Sequence, residues 1–146
     1  MEKLRTAVIG FGFMGKTHAK NIIDSDLMEL SAIVEKNIDG MTQVSGNIDT
    51  VDINPEVLDN INKYSSLDDC LAKEELDAVF VCVHTLLHYK IEMKCLRHGL
   101  HVFIEKPLVL KEDEGEALIA EAKSLNLKLS VGHVVQIGRA SCRERV

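Results

Sequence analysis

The stretch IGFGFMGKTHAK, Ile9–Lys20, carries glycines at Gly10, Gly12 and Gly15, and the apolar run TAVI leads into it. Glycines at that spacing, between a strand and a helix, have a chemical use. Gly10 permits a tight turn out of the strand. Gly12 has no side chain, so a pyrophosphate can approach the backbone. Gly15 lets the helix pack close to the strand. The helix N-terminus then offers unpaired N–H groups and a positive dipole end to the phosphates. Phe11, Phe13 and Met14 complete the loop. About twenty positions on, at the end of the next apolar run, stands Glu35. A carboxylate there accepts hydrogen bonds from both hydroxyls of an adenosine ribose and repels a 2′-phosphate, which favours NAD over NADP. Lys36 keeps NADP as the second candidate, because its side chain can pair with a phosphate. A glycine-rich turn in an unrelated α/β fold, or a methyltransferase holding adenosylmethionine, would show a similar loop and acid.

These residues need elements that bring them together. LRTAVIG reads as a buried strand, Met14 to Ser25 as a helix, and MELSAIVE, Met28 to Glu35, as a second strand. Residues 36–62 are polar and acidic, with Gly40, Gly46 and Pro55; they read as loop plus a short helix from Pro55. Their aspartates lack calcium-loop spacing and read as a solvated acidic insertion. Ser66 is placed as the N-cap of a helix through Lys73. DAVFVCV, Asp77 to Val83, is a near-continuous apolar run, the pattern of a strand covered on both faces. Leu86 to His98 reads as a helix closed by Gly99. LHVFIE is the next strand, Lys111 to Leu125 a helix, and LKLSVG a last strand. This alternation predicts βαβ units: an α/β fold with a Rossmann doubly wound parallel sheet.

At 146 residues the chain can bury one domain core. Its net charge of −6 argues against nucleic acid or an anionic membrane as the main partner. No apolar run is long enough to span a bilayer, and the N-terminus lacks the pattern of a signal peptide. Cys70, Cys82, Cys95 and Cys142 form no C-x-x-C pair, which suits a reduced, cytoplasmic protein. No metal site is expected.

GFGFMGKTHAK, LDAVFVCVHTLLHY and GLHVFIEKPL, taken in order, resemble the glucose–fructose oxidoreductase/inositol dehydrogenase (Gfo/Idh/MocA) family of nicotinamide-dependent sugar and polyol dehydrogenases. The resemblance runs from about residue 3 to about residue 135 and excludes the methyltransferase. It implies that Gly10, Phe11, Gly12, Phe13, Met14 and Gly15 form the phosphate loop and that Glu35 is the ribose acid. Val83, His84, Thr85 and His88 match the family's strand-end segment Thr-Pro-Asn-x-x-His, which runs beside the cofactor. This chain keeps the last histidine but has Val83 and His84 for Thr-Pro and Thr85 for Asn. Glu105, Lys106 and Pro107 match the family's Glu-Lys-Pro, whose lysine lies by the nicotinamide and the substrate hydroxyl. Such a lysine stabilises a developing alkoxide, and relays its proton if a cationic ring lowers its pKa. The bland alternatives are a solvated lysine for Lys106, a backbone-bonding or capping histidine for His88, and a packing histidine for His18. His133 ends the last strand, with a cleft-facing position as the less favoured reading, and Cys82 and Cys95 are placed in the core. A competing class is a non-catalytic NAD(H)-binding regulatory or redox-sensing module.

Family members continue into a second α/β domain that carries most of the substrate pocket and the oligomer interface. The resemblance therefore implies that residues 1–136 are the dinucleotide-binding domain of a homo-oligomeric parent. That fragment is expected to bind cofactor but turn over no sugar or polyol alone. Residues 137–146, IGRASCRERV, show no apolar periodicity. Back-translated as ATC GGA AGA GCG TCG TGT AGG GAA AGA GTG, they resemble one frame of a common sequencing-library adapter, and are expected to be read-through rather than native sequence. A source locus with these codons intact and a stop after Val146 would refute that.

Overall fold

Strands and helices alternate along the chain. A computed structural model describes residues 3–36, 53, 55–83, 87–105 and 111–132. In chain order the elements are β1 (Leu4–Ile9), α1 (Phe13–Ile23), β2 (Met28–Val34), α2 (Pro55–Asp59), β3 (Asn62–Tyr64), α3 (Leu67–Lys73), β4 (Ala78–Val81), α4 (His88–Arg97), β5 (His101–Glu105), α5 (Glu112–Ser124) and β6 (Leu129–Gly132). The sheet order is β3-β2-β1-β4-β5-β6, and every neighbouring pair is parallel. This is the doubly wound Rossmann arrangement expected from the βαβ pattern.

Alternation along β1 separates the two faces. Ala7 and Ile9 join a core with Val79, Val81, Val102 and Ile104, closed by Leu71 of α3, Leu96 of α4 and Leu118 of α5. Val8 points the other way and packs with Ile33 against Ala19 and Ile22 of α1. Each fully buried large aliphatic contributes roughly 1.5–3 kcal/mol, so β1 and β4, covered on both sides, are the spine of the domain.

The structure departs from the sequence expectation in three places. β3 was not expected: Asn-Lys-Tyr has no apolar run, yet it pairs with Ala32–Val34 at the sheet edge. Polar residues suffice there because an edge strand is only half covered. Ser66 does occupy the N-cap position of α3, but its side chain makes no capping bond. α4 begins at His88 rather than Leu86. The short helix from Pro55 is present as α2. Residues 37–52 and 54, and the adapter-like segment 137–146, lie outside the described residues.

At the amino ends of the strands, β1 and β4 are laced together. Arg5 N–H donates to Asp77 Oδ2 at 2.8 Å, Asp77 N–H donates to the Arg5 carbonyl at 2.8 Å, and the guanidinium Nε reaches the same carboxylate at 3.3 Å. Among the described residues, a cleft is lined by the carboxyl ends of β1 and β2 and the residues just after β4.

Candidate functional site

The strand order reverses between β1 and β4, and in such sheets ligands bind outside the carboxyl ends at that point. A cleft of about 540 Å³ opens there. Ile9 to Gly12 line it from the end of β1, Val34 to Lys36 from β2, and Ser65 to Asp68 from the turn after β3. Cys82 and Val83 line it after β4, and Leu87, Lys90, Ile91 and Lys94 from α4.

Each glycine of the loop has a distinct physical reason. Gly10 has φ +94°, and a Cβ there would lie 2.6 Å from the Cys82 carbonyl oxygen and 2.9 Å from Val83 Cγ1. A side chain at Gly15 would run into the Gly10 carbonyl oxygen. At Gly12 a Cβ would meet nothing within 4 Å, so the space beside it is open. Gly12 is the N-cap of α1 and makes no side-chain cap. The first helical bond runs from Lys16 N–H to the Gly12 carbonyl at 2.9 Å. The N–H groups of Phe13, Met14 and Gly15 precede that bond and have no intrahelical acceptor. An open cradle at a helix N-terminus fits a phosphate.

Glu35 stands opposite. Its Oε1 accepts from Phe11 N–H at 2.8 Å, so the acid of β2 also braces the glycine loop. Its own N–H donates to the Tyr64 carbonyl at 2.9 Å; the unexpected strand β3 thus fixes the position of the acid. Lys36 lines the cleft next to it. Lys16 is nearly buried, and its Nζ lies 6.0 Å from the centre of the Phe11 ring.

The structure brings Gly10, Phe11, Gly12, Glu35, Lys36 and Val83 to one cleft. Met14 and Gly15 are on the first turn of α1, the latter buried against the strand. His88 is not among the lining residues; it is 2% exposed and lies behind the wall, its Nε2 2.9 Å from the Val83 carbonyl oxygen. His18 packs against Phe80 and Phe103, with ring centroids at 5.4 and 5.2 Å, the packing role expected of it. Cys95 is in the core as expected, and burial pushes its thiol up to about 12. Cys82 packs against the core formed by Val8, Ile33 and α1, as expected, but is only half-buried and also lines the cleft, because it follows the last residue of β4. His84, Lys106 and His133, and the side chains of Phe13 and Glu105, lie outside the described residues.

Sequence reasoning missed Ser65, Asp68, Lys90 and Lys94, which the fold gathers at the cleft. Lys94 Nζ pairs with Asp68 Oδ1 at 2.5 Å, joining α4 to α3. Solvated helix charges carry no local signal for such a meeting. Glu92 was missed too: it is fully buried on α4, 3.5 Å from His88 Nδ1.

Comparison with known proteins shows the family of the chain. The family described as an oxidoreductase family with an NAD-binding Rossmann fold (GFO_IDH_MocA) matches residues 4–133. The chain belongs to the Gfo/Idh/MocA oxidoreductase family. It is 28% identical to UDP-N-acetylglucosamine 3-dehydrogenase of Acidithiobacillus ferrooxidans, over 94% of this chain and 39% of that protein. It is 30% identical to myo-inositol 2-dehydrogenase of Thermotoga maritima, over 88% of this chain and 36% of the relative. Among solved structures, GenD2 from gentamicin A biosynthesis, in complex with NAD, superposes with a TM-score of 0.77 at 26% identity, covering 90% of this chain and 35% of that one. The chain thus spans less than two fifths of the length of these Gfo/Idh/MocA relatives, and the part it spans is the NAD-binding Rossmann domain.

Proposed function

We propose that this chain is the nucleotide-binding part of an NAD-dependent oxidoreductase acting on a CH–OH group of a sugar, polyol or related hydroxy/keto compound. The observation that carries the reading is the loop itself: open space at Gly12, with the Glu35 carboxylate held 2.8 Å from Phe11 N–H on the far side. The residues fit a dinucleotide. The N–H groups at the start of α1 hold the pyrophosphate, and Glu35 accepts from the ribose hydroxyls. That carboxylate opposes a 2′-phosphate, so NAD is preferred, with NADP admitted to the extent that Lys36 pairs with it. Val83, His84 and Glu105 belong to the same half of the site, with His88 behind the wall. When bound, the nicotinamide supplies a hydride acceptor or donor. Lys106 is next in sequence after Glu105, the last residue of β5; in this reading its Nζ holds or releases the proton of the substrate hydroxyl. The parent is a homo-oligomer of the cytoplasm, its sugar or polyol pocket is supplied by a second domain, and this fragment turns over no substrate alone.

Calorimetric titration of this chain with NAD, NADP and adenosylmethionine tests the reading. NAD should bind in the micromolar range, NADP more weakly and adenosylmethionine not at all. Gly12→Val and Glu35→Ala should each abolish the NAD heat. A chain folded by circular dichroism that ignores NAD would overturn the reading. In the full-length parent, Lys106→Ala should lower turnover by orders of magnitude while cofactor affinity is nearly kept; unchanged function would favour a redox-sensing module.

A further inference from the structure

We propose that His88 and Glu92 form one buried positioning unit, in which a proton shared between Glu92 Oε2 and His88 Nδ1 fixes the imidazole that holds the Val83 carbonyl at the cleft. Its consequence for ligand binding rests on the nucleotide reading above. The Val83 carbonyl only accepts, so the hydrogen at 2.9 Å belongs to His88 Nε2. In a neutral ring Nδ1 then presents a lone pair. Facing it at 3.5 Å is Glu92 Oε2, one helical turn on. Glu92 is 0% exposed, and neither of its oxygens has a hydrogen-bond partner among the described residues. A carboxylate there would oppose a lone pair with no donor in a dry core, which is a costly arrangement. A protonated Glu92 removes the conflict: it is neutral, and its Oε2–H points at Nδ1.

The surroundings favour that neutral form. On α4 itself, Cys95 is the other titratable group near Glu92, and Cys70 of α3 lies beyond it; burial pushes both thiols up to about 12, so they carry no charge. The core residues of β4 and β5, Val79, Val81, Val102 and Ile104, bring no charge. The cations of α4 are engaged at the surface, Lys94 with Asp68 and Arg97 with Glu121 of α5, and Lys90 lines the cleft. Burial alone pushes the Glu92 carboxyl up to about 9.

The unit acts on the cleft through Val83. That residue abuts Gly10, where a Cβ would stand 2.9 Å from Val83 Cγ1, and the preceding Cys82 N–H bonds the Ile9 carbonyl at 2.8 Å. Releasing the Val83 carbonyl therefore loosens the wall on which the glycine loop turns.

Two measurements on this chain test the proposal. Long-range proton–nitrogen spectra of the His88 ring at neutral pH should show the Nε2–H tautomer with Nδ1 as acceptor. Glu92→Leu should lose that signature and weaken NAD roughly tenfold. Glu92→Gln, whose amide can donate to Nδ1, should recover both, and should hold its affinity above about pH 9 where the wild type loses it. An imidazolium or an Nδ1–H tautomer in the wild type overturns the proposal, and so does a Glu92→Leu protein with wild-type ring signals. If wild type and variants all fail to bind NAD, the nucleotide reading has failed, and the ring spectra still decide the pair.

Discussion

Gly10 and Gly12 are two positions apart and differ in what a methyl group would meet. At Gly10 it would meet the Cys82 carbonyl at 2.6 Å, on a backbone with φ +94°. Gly10→Ala should therefore cost about 1–3 kcal/mol of stability, read as a lower urea midpoint, and weaken NAD as well. At Gly12 the methyl would project into open space. Gly12→Ala should leave the urea midpoint within about 0.5 kcal/mol of wild type and still weaken NAD tenfold or more, because the space it fills is the space a phosphate needs. A Gly12→Ala protein that binds like wild type would show that the loop is only a turn. Both were legible in the sequence as glycines at a fixed spacing, Gly10 because its backbone admits no Cβ and Gly12 because the space beside it is kept clear. Glu92 was not: in IEMKC a glutamate looks like any solvated helix charge, and only the packing of α4 shows it buried.

Strands β1 and β4 are joined at their amino ends by Arg5 and Asp77. The Asp77 carboxyl is held below its ordinary value, first by the Arg5 backbone N–H and then by the Arg5 side chain. A carboxyl depressed in the folded state stabilises it above the unfolded value of 3.8, and that stability is lost as pH falls through the folded value. Asp77→Asn should lower stability modestly near neutrality and flatten the acid limb of the stability–pH curve, with the wild-type and variant curves converging as pH falls below about 4. An unchanged acid limb would mean that the pair adds nothing beyond its backbone bonds. The strands themselves were readable because full burial demands unbroken apolar runs. β3 was not, because an edge strand of three residues is made by backbone pairing to β2 and not by its side chains.

The domain as a whole carries a second titration, of opposite sense. The Glu92 carboxyl has a value of about 9 in the fold against an ordinary 4.5. Its contribution is complete below about pH 4.5 and declines as pH rises toward 9, since the unfolded chain releases a proton that the fold retains. The slope expected for one such proton is about 1.4 kcal/mol per pH unit. Urea midpoints across this range should fall for the wild type and stay level for Glu92→Gln; equal slopes would place the titration elsewhere. This core acid and the cleft wall belong to one body: α4 lends Lys90 and Ile91 to the cleft and His88, Glu92 and Leu96 to the interior.

The sequence by itself determined the alternation of strands and helices, the glycine loop between β1 and α1, and the acid at the end of β2. Each of these is a local demand, for an apolar run, a glycine or a strand-end carboxylate, and local demands leave residue-type patterns. Only the tertiary structure decided that Tyr64 fixes Glu35, that Glu35 braces Phe11, that Lys94 meets Asp68 across the cleft rim, and that His88 stands behind the wall with a buried acid. Those are meetings between distant segments, or burial of polar groups. Both depend on how the elements pack, and packing writes no period into the chain.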